Sequence, residues 1–162
     1  RGCLRPAPFH TPPRPRPPVP TGTGVGRARP TPTPRPVFPF DRALGPQFFS
    51  TNNLFLNIWV KVYEGKKPNE KPLPGYQLKV LRNGVDVSDG HLSGDAFQTT
   101  GPLQGNFVYN LKYEYWPDAG EADWVIWLAD SGGQRVSPEI KFTTRGSAKK
   151  NRIVYVGFQR VR

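Results

Sequence analysis

Thirteen of the chain's twenty prolines lie in residues 1–40, and that clustering divides the molecule before any other feature is considered. Proline fixes φ near −65°, has no N–H to give to a helix or a ladder, and disfavours the helical region for the residue before it. In PPRPRPPVP (12–20) and PTPTP (30–34) almost every residue is constrained in one way or the other. No packed core can be built through such runs. The expected state is polyproline II, extended at ~3.1 Å per residue and without internal hydrogen bonds. GTGVG at 22–26 interrupts it with a flexible joint; it has neither the glycine spacing nor the preceding strand of a dinucleotide-binding loop. A single folded domain must come from the remaining ~120 residues, about the size at which two packed layers are stable without covalent staples.

Three readings compete for the arm. It is a solvated linker; or a ligand for aromatic-lined grooves, since Arg14, Pro17 and Pro20 fit an RxxPxxP pattern; or an assembly arm laid along a neighbouring subunit. A chain already straightened by proline has given up part of the ~1–2 kcal/mol per residue that ordering a generic backbone costs. The apolar end of the arm, Val37, Phe38 and Phe40, would anchor it in a groove. Thr11, Thr21, Thr23, Thr31 and Thr33 sit in the Ser/Thr-and-Pro context of O-glycosylated stalks, and the chain has no Asn-x-Ser/Thr acceptor.

The net charge of +11 is unevenly placed. Residues 1–40 contribute seven arginines and no acid, and residues 145–162 six positive charges and no negative one. Residues 41–144 hold ten basic and twelve acidic side chains, hence −2. Basic ends around a nearly neutral body point to an acidic partner surface: an anionic wall polymer, a glycan or a neighbouring copy. They do not make the basic patch on a folded face that nucleic-acid binding calls for. Cys3 is the only cysteine, so no internal disulfide forms, and with only His10 and His91 to assist it a zinc site is disfavoured. Arg1 and Gly2 precede Cys3, which argues against a lipid-bearing N-terminal cysteine. The absence of methionine, position 1 included, reads as a processed product or a fragment, and a removed signal peptide fits it. No apolar run approaches the ~20 residues that span a bilayer.

Beyond Phe40 the text becomes short alternating runs. In LFLNIWVKVY (54–63), Leu54, Leu56, Ile58, Val60 and Val62 share one face, the period of a strand. NFVYNLKYE (106–114) repeats the pattern, and further strands are expected at 76–82, 95–99, 123–130, 135–144 and 152–161. Asn83-Gly84 is a type I′ hairpin signal, and Ser131-Gly132-Gly133 marks a second tight turn. No segment has a 3.6-residue period. About seven strands separated by turns predict an all-β, antiparallel, immunoglobulin-like sandwich. The expected organisation is an arm (1–40), a connector (41–53) and the sandwich (54–162).

PLPGYQLKVLRNG (72–84), GNFVYNLKYE (105–114) and SGGQRVSPEIKFTT (131–144) together resemble the carboxypeptidase-regulatory, transthyretin-like branch of such sandwiches. The resemblance spans about residues 54–145. Bacterial surface proteins place modules of this kind behind Pro/Thr-rich stalks, so it implies an extracellular, non-catalytic role. The chain departs from the family pattern in the insert 86–105 and in its basic final strand.

Catalytic constellations are scarce. His10 lies in the arm and His91 in DVSDGHLSGD, leaving no evident base for a nucleophilic triad, and no nucleophile elbow, zincin or phosphate-loop pattern occurs. Two acidic loops, one with Asp86, Asp89 and Asp95 and one with Asp118, Glu121 and Asp123, could in principle pair carboxylates, but glycosidase chemistry needs them at set separations across a cleft. Asp86, Asp89 and Asp95 form a weak calcium candidate without EF-hand spacing; turn formation by Asp and Gly accounts for them equally. No cofactor is expected.

Aromatic residues carry more weight. With Leu54 to Val62 inward, Phe55, Trp59 and Tyr63 line the other face of the same strand, joined by Trp127 and Tyr155 on two others. An exposed aromatic strip marks an interaction surface. It would meet another subunit or the proline arm, or stack on sugar rings; alternatively a register shift makes part of it core. The leading expectation is a secreted, non-enzymatic structural subunit of a cell-surface fibre or sheath that self-associates through its arm. The alternative is a carbohydrate- or wall-binding adhesion module on a proline-rich stalk.

Overall fold

Alternation of apolar and polar residues organises two facing sheets, seen in a computed structural model that describes residues 36–101, 105–145 and 151–162. The arm through Arg35, with its five threonines, lies outside the described residues. The strands are β1 (Phe40–Phe49), β2 (Leu56–Glu64), β3 (Lys71–Pro72), β4 (Gln77–Arg82), β5 (Val85–Asp86), β6 (Gln98–Thr99), β7 (Val108–Tyr109), β8 (Leu111–Tyr115), β9 (Ala122–Ala129), β10 (Ile140–Thr144) and β11 (Ile153–Arg160). The fold is all-β, and the described residues contain no helix. No helix long and apolar enough to cross a membrane is found among them.

The first sheet runs β1-β11-β2-β3, with β8 also paired to β2; the second runs β10-β9-β4-β5; β6 and β7 form a separate ladder. One face of each main sheet contributes to a common core. Leu56, Ile58, Val60 and Val62 of β2 and Val154, Val156 and Phe158 of β11 share it with Trp124, Ile126 and Leu128 of β9 and with Ile140 and Phe142 of β10. This is the two-layer burial expected of an immunoglobulin-like sandwich. One ladder departs from the antiparallel rule: β11 runs parallel to β2, Ile153 beside Asn57 through Gln159 beside Tyr63.

The turn chemistry of the sequence is found in place. Asn83 (φ 48°) and Gly84 (φ 81°) carry the two positive φ values that a type I′ hairpin requires between β4 and β5. Asp130 caps the other tight turn, its Oδ1 accepting from the amides of Gly132 and Gln134. Leu54, expected on the inward face, precedes the start of β2 and is exposed.

The segment expected as a connector is instead mostly strand. β1 pairs antiparallel with β11 from Phe40 beside Arg160 to Phe49 beside Ile153, with register breaks around Leu44 and the Gly45-Pro46 pair. Proline is tolerated in a strand at such an irregularity. Gly45 adopts φ +71°, and a Cβ there would sit 2.3 Å from the Tyr155 carbonyl oxygen, so the chain passes only because the position is glycine.

Candidate functional site

The aromatic strip expected on the outer face of β2 is not exposed. Trp59, Tyr63 and Tyr155 are 7%, 5% and 6% accessible. The physical reason is a further layer of the chain's own making. Leu44 and Phe49 from β1, with Tyr109 of β7 and Phe107 just before that strand, close over Trp59, Ile153 and Tyr155 as a second apolar cluster. Phe107 stacks on Tyr155 at 4.6 Å and meets Phe49 in a tilted contact at 4.6 Å. The Tyr155 hydroxyl donates to the Val108 carbonyl at 2.8 Å. Lys61 is buried in the same face and pairs with Glu70 at 2.5 Å, its ammonium 4.4 Å from the centre of the Tyr63 ring. Trp127 is half-buried on β9, and Phe55 half-buried just ahead of β2.

Burial first, then the neighbouring Tyr63 and Glu70, push the Tyr155 hydroxyl up to about 12. Burial also raises Tyr113, whose hydroxyl donates to the Val87 carbonyl. An unfolded tyrosine ionises near pH 10, so the stability held in these neutral phenols is intact below about pH 10 and drains as pH rises toward 12, at up to about 1.4 kcal/mol per pH unit for each. Thermal melts should therefore be flat from about pH 8 to 9.5 and fall steeply above about pH 10. An unchanged melting temperature at about pH 11.5 would show that neither phenol is held neutral by the fold.

The expected arm anchor also has a different place. Phe40 is fully buried in the body's own core, edge-on to Tyr76 at 4.8 Å. Phe38 is half-buried under the Arg135 guanidinium, 4.9 Å away, and only Val37 stands free, 74% accessible. Residues 38–40 are thus held by the domain itself, the Phe40 amide donating to the Val136 carbonyl and the Val161 amide to the Pro39 carbonyl.

What the surface does expose is Trp116, 66% accessible, stacked on Phe55 at 4.4 Å and 25°. It forms one end of a groove of about 530 Å³ that runs along β8 and also takes in Leu92, Tyr109, Asp89, His91, Lys112 and Glu114. Among the described residues β8 pairs only with β2, so its far edge borders this groove. Asp89 lies 2.9 Å from His91 Nδ1, and its hydrogen bond and charge raise the imidazole above its ordinary value. Lys112 and Glu114 pair at 2.6 Å.

Asn110 builds the floor. Its Oδ1 accepts from the Val62 amide at 2.7 Å, and its Nδ2 donates to the carbonyls of Val62 (3.0 Å), Gly94 (3.0 Å) and Leu73 (3.3 Å). One side chain therefore ties β2 to the two loops that shape the groove.

The three aspartates of the calcium candidate are not gathered. Hydrogen bonds from the Ser88 side chain and then from the Ser88 amide hold the Asp86 carboxyl below the ordinary range. Asp89 accepts from the His91 amide, and Asp95 is exposed. Among the described residues no group of three or more His, Cys, Asp or Glu side chains is placed to hold a metal ion.

Sequence reasoning missed Trp116 and Leu92 because both lie in irregular segments without alternation. The available signal was charge. Residues 83–134 hold eight acidic side chains (Asp86, Asp89, Asp95, Glu114, Asp118, Glu121, Asp123 and Asp130) against one basic one, Lys112, a balance of −7. The exposed tryptophan belongs to the acidic part of the chain, and the arrangement is suited to holding an extended, cationic or ring-bearing ligand. Comparison with known proteins returned no match: no family model, no curated protein and no solved structure is similar to the chain.

Proposed function

We propose that this chain is a non-enzymatic structural module of an extracellular, cell-surface assembly, joined to further copies of itself through its proline-rich arm. The observation that carries this reading is the segregation of charge. Residues 1–35 hold seven arginines and no acid, +7, and residues 83–134 balance them at −7. Opposite charge on two parts of one chain draws copies together and steers their encounter. The transthyretin-like resemblance supports it: the segments that carry it lie on β4 and the turn after it, on β7 and β8, and across the turn into β10 of a two-sheet sandwich. On this reading the threonines of the arm are the sites of any glycosylation.

Removal of residues 1–35 tests it. Among the described residues the buried core draws on none before Phe40, so the truncated chain should keep its fold, which its circular dichroism and melting temperature check. Sedimentation velocity should show the full chain self-associating, less so as salt rises from about 50 to 500 mM, and the truncated chain monomeric. Equal sedimentation of the two would remove the arm from the explanation. A second reading, a glycan- or wall-binding module, is favoured by the exposed Trp116 platform beside carboxylates. It requires retention on an insoluble polysaccharide that Trp116→Ala abolishes.

A further inference from the structure

We propose that the groove along β8 is the seat of the arm of a second copy, occupied by its residues 12–20. The inference rests on the arm-mediated assembly above and assigns its docking site. The first argument is shape. At three residues per turn, the period expected of polyproline II, PPRPRPPVP places Pro12, Pro15 and Pro18 on one face, with Arg14 and Arg16 on the flanks. Aromatic side chains flanking a groove are the common receptor for such a face, the proline rings packing against them. Trp116 is already stacked on Phe55 at 4.4 Å, which limits its motion before any ligand arrives, and Tyr109 and Leu92 continue the apolar wall.

The second argument is charge. Asp89 and Glu114 line the same groove and offer carboxylates to Arg14 and Arg16, and guanidinium-carboxylate bonds add direction as well as attraction. His91 and Lys112 pair with these two acids, so docking exchanges one cationic partner for another and returns the exposed His91 and Lys112 side chains to water.

The third argument is position. Phe40 pairs with Arg160, one residue past the Gln159 that lies beside Tyr63, so the arm leaves the body at the Tyr63 end of β2. Tyr115 pairs with Leu56, so Trp116 stands at the opposite end of that strand. An arm that departs from one end and a seat that reaches the other define a head-to-tail, heterologous contact, which propagates when its rotation does not close. Residues 21–35 between the docked segment and the body span up to about 45 Å when extended, enough to reach a neighbour.

The test uses the full chain. Sedimentation velocity should show self-association weakened about tenfold or more by Trp116→Ala and by Asp89→Lys/Glu114→Lys, as expected for an aromatic and a charged anchor. Trp127→Ala, on the other main sheet, should leave it within about twofold. A photo-crosslinking side chain placed next to the docked segment, Thr21→benzoylphenylalanine, should join copies of different isotopic labelling at residues 87–116. Three outcomes overturn the assignment while leaving arm-mediated assembly in place: association unaffected by Trp116→Ala, crosslinks mapping elsewhere on the body, or crosslinks only within one copy. Full chains that do not associate at all overturn both, and retention on a polysaccharide by such monomers makes a sugar the occupant instead.

Discussion

Asn110→Ala should destabilise the domain by about 3–5 kcal/mol and lower its melting temperature by roughly 10 °C or more. The Val62 amide has Asn110 Oδ1 as its acceptor, deep between β2 and the loops at Leu73 and Gly94. Alanine leaves that buried N–H unmet, at about 1–3 kcal/mol, and removes three donated bonds worth about 1 kcal/mol each at most. The carbonyls of Val62 and Leu73 keep other donors, the Leu73 amide and the Ser93 hydroxyl, so the loss falls mainly on the amide. Urea unfolding monitored by tryptophan fluorescence measures it directly. A change below about 1 kcal/mol would mean that water replaces the side chain and that the groove floor is not dry.

Trp124→Ala should cost about 3–5 kcal/mol. The indole is fully buried near the start of β9, packed edge-on to Tyr115 at 5.3 Å and stacked over Phe142 at 6.3 Å. Its Nε1 donates to Thr144 Oγ1 at 2.9 Å. Truncation opens a cavity between the sheets and removes that buried bond as well. Trp124→Phe should recover most of the packing and isolate the hydrogen bond, at about 1 kcal/mol. By contrast Trp116→Ala, on an open surface, should move stability by no more than about 0.5 kcal/mol. Guanidinium denaturation of the three variants separates the core tryptophan from the surface one.

The fold was largely legible where burial is one-sided. Trp124, Ile126 and Leu128 alternate with less buried neighbours, and period two assigns both the strand and its inner face. Asn83-Gly84 announced its hairpin because few other pairs accept two positive φ values. β1 was not legible, because Gly45-Pro46 interrupts its alternation and its pairing partner lies more than a hundred residues away in β11. The outer face of β2 misled for a related reason. Trp59 and Tyr63 look the same in the sequence whether or not something covers them, and the cover comes from Leu44, Phe49, Phe107 and Tyr109, set by tertiary packing. In the sequence Phe40 reads as the apolar end of the arm, since Val-Phe-Pro-Phe follows the proline runs directly; the strand ladder to Arg160 decides otherwise.

The pairing of the first strand with the last has a mechanical consequence. Tension applied between the two ends of the domain's chain would enter at Phe40 and Arg160, which face each other across one ladder, and would peel β1 from β11 one rung at a time. Tension entering at Phe40 and leaving near Trp116 runs along the strands instead, loading the rungs side by side. Such a module yields readily when pulled by its own termini and resists when pulled lengthwise.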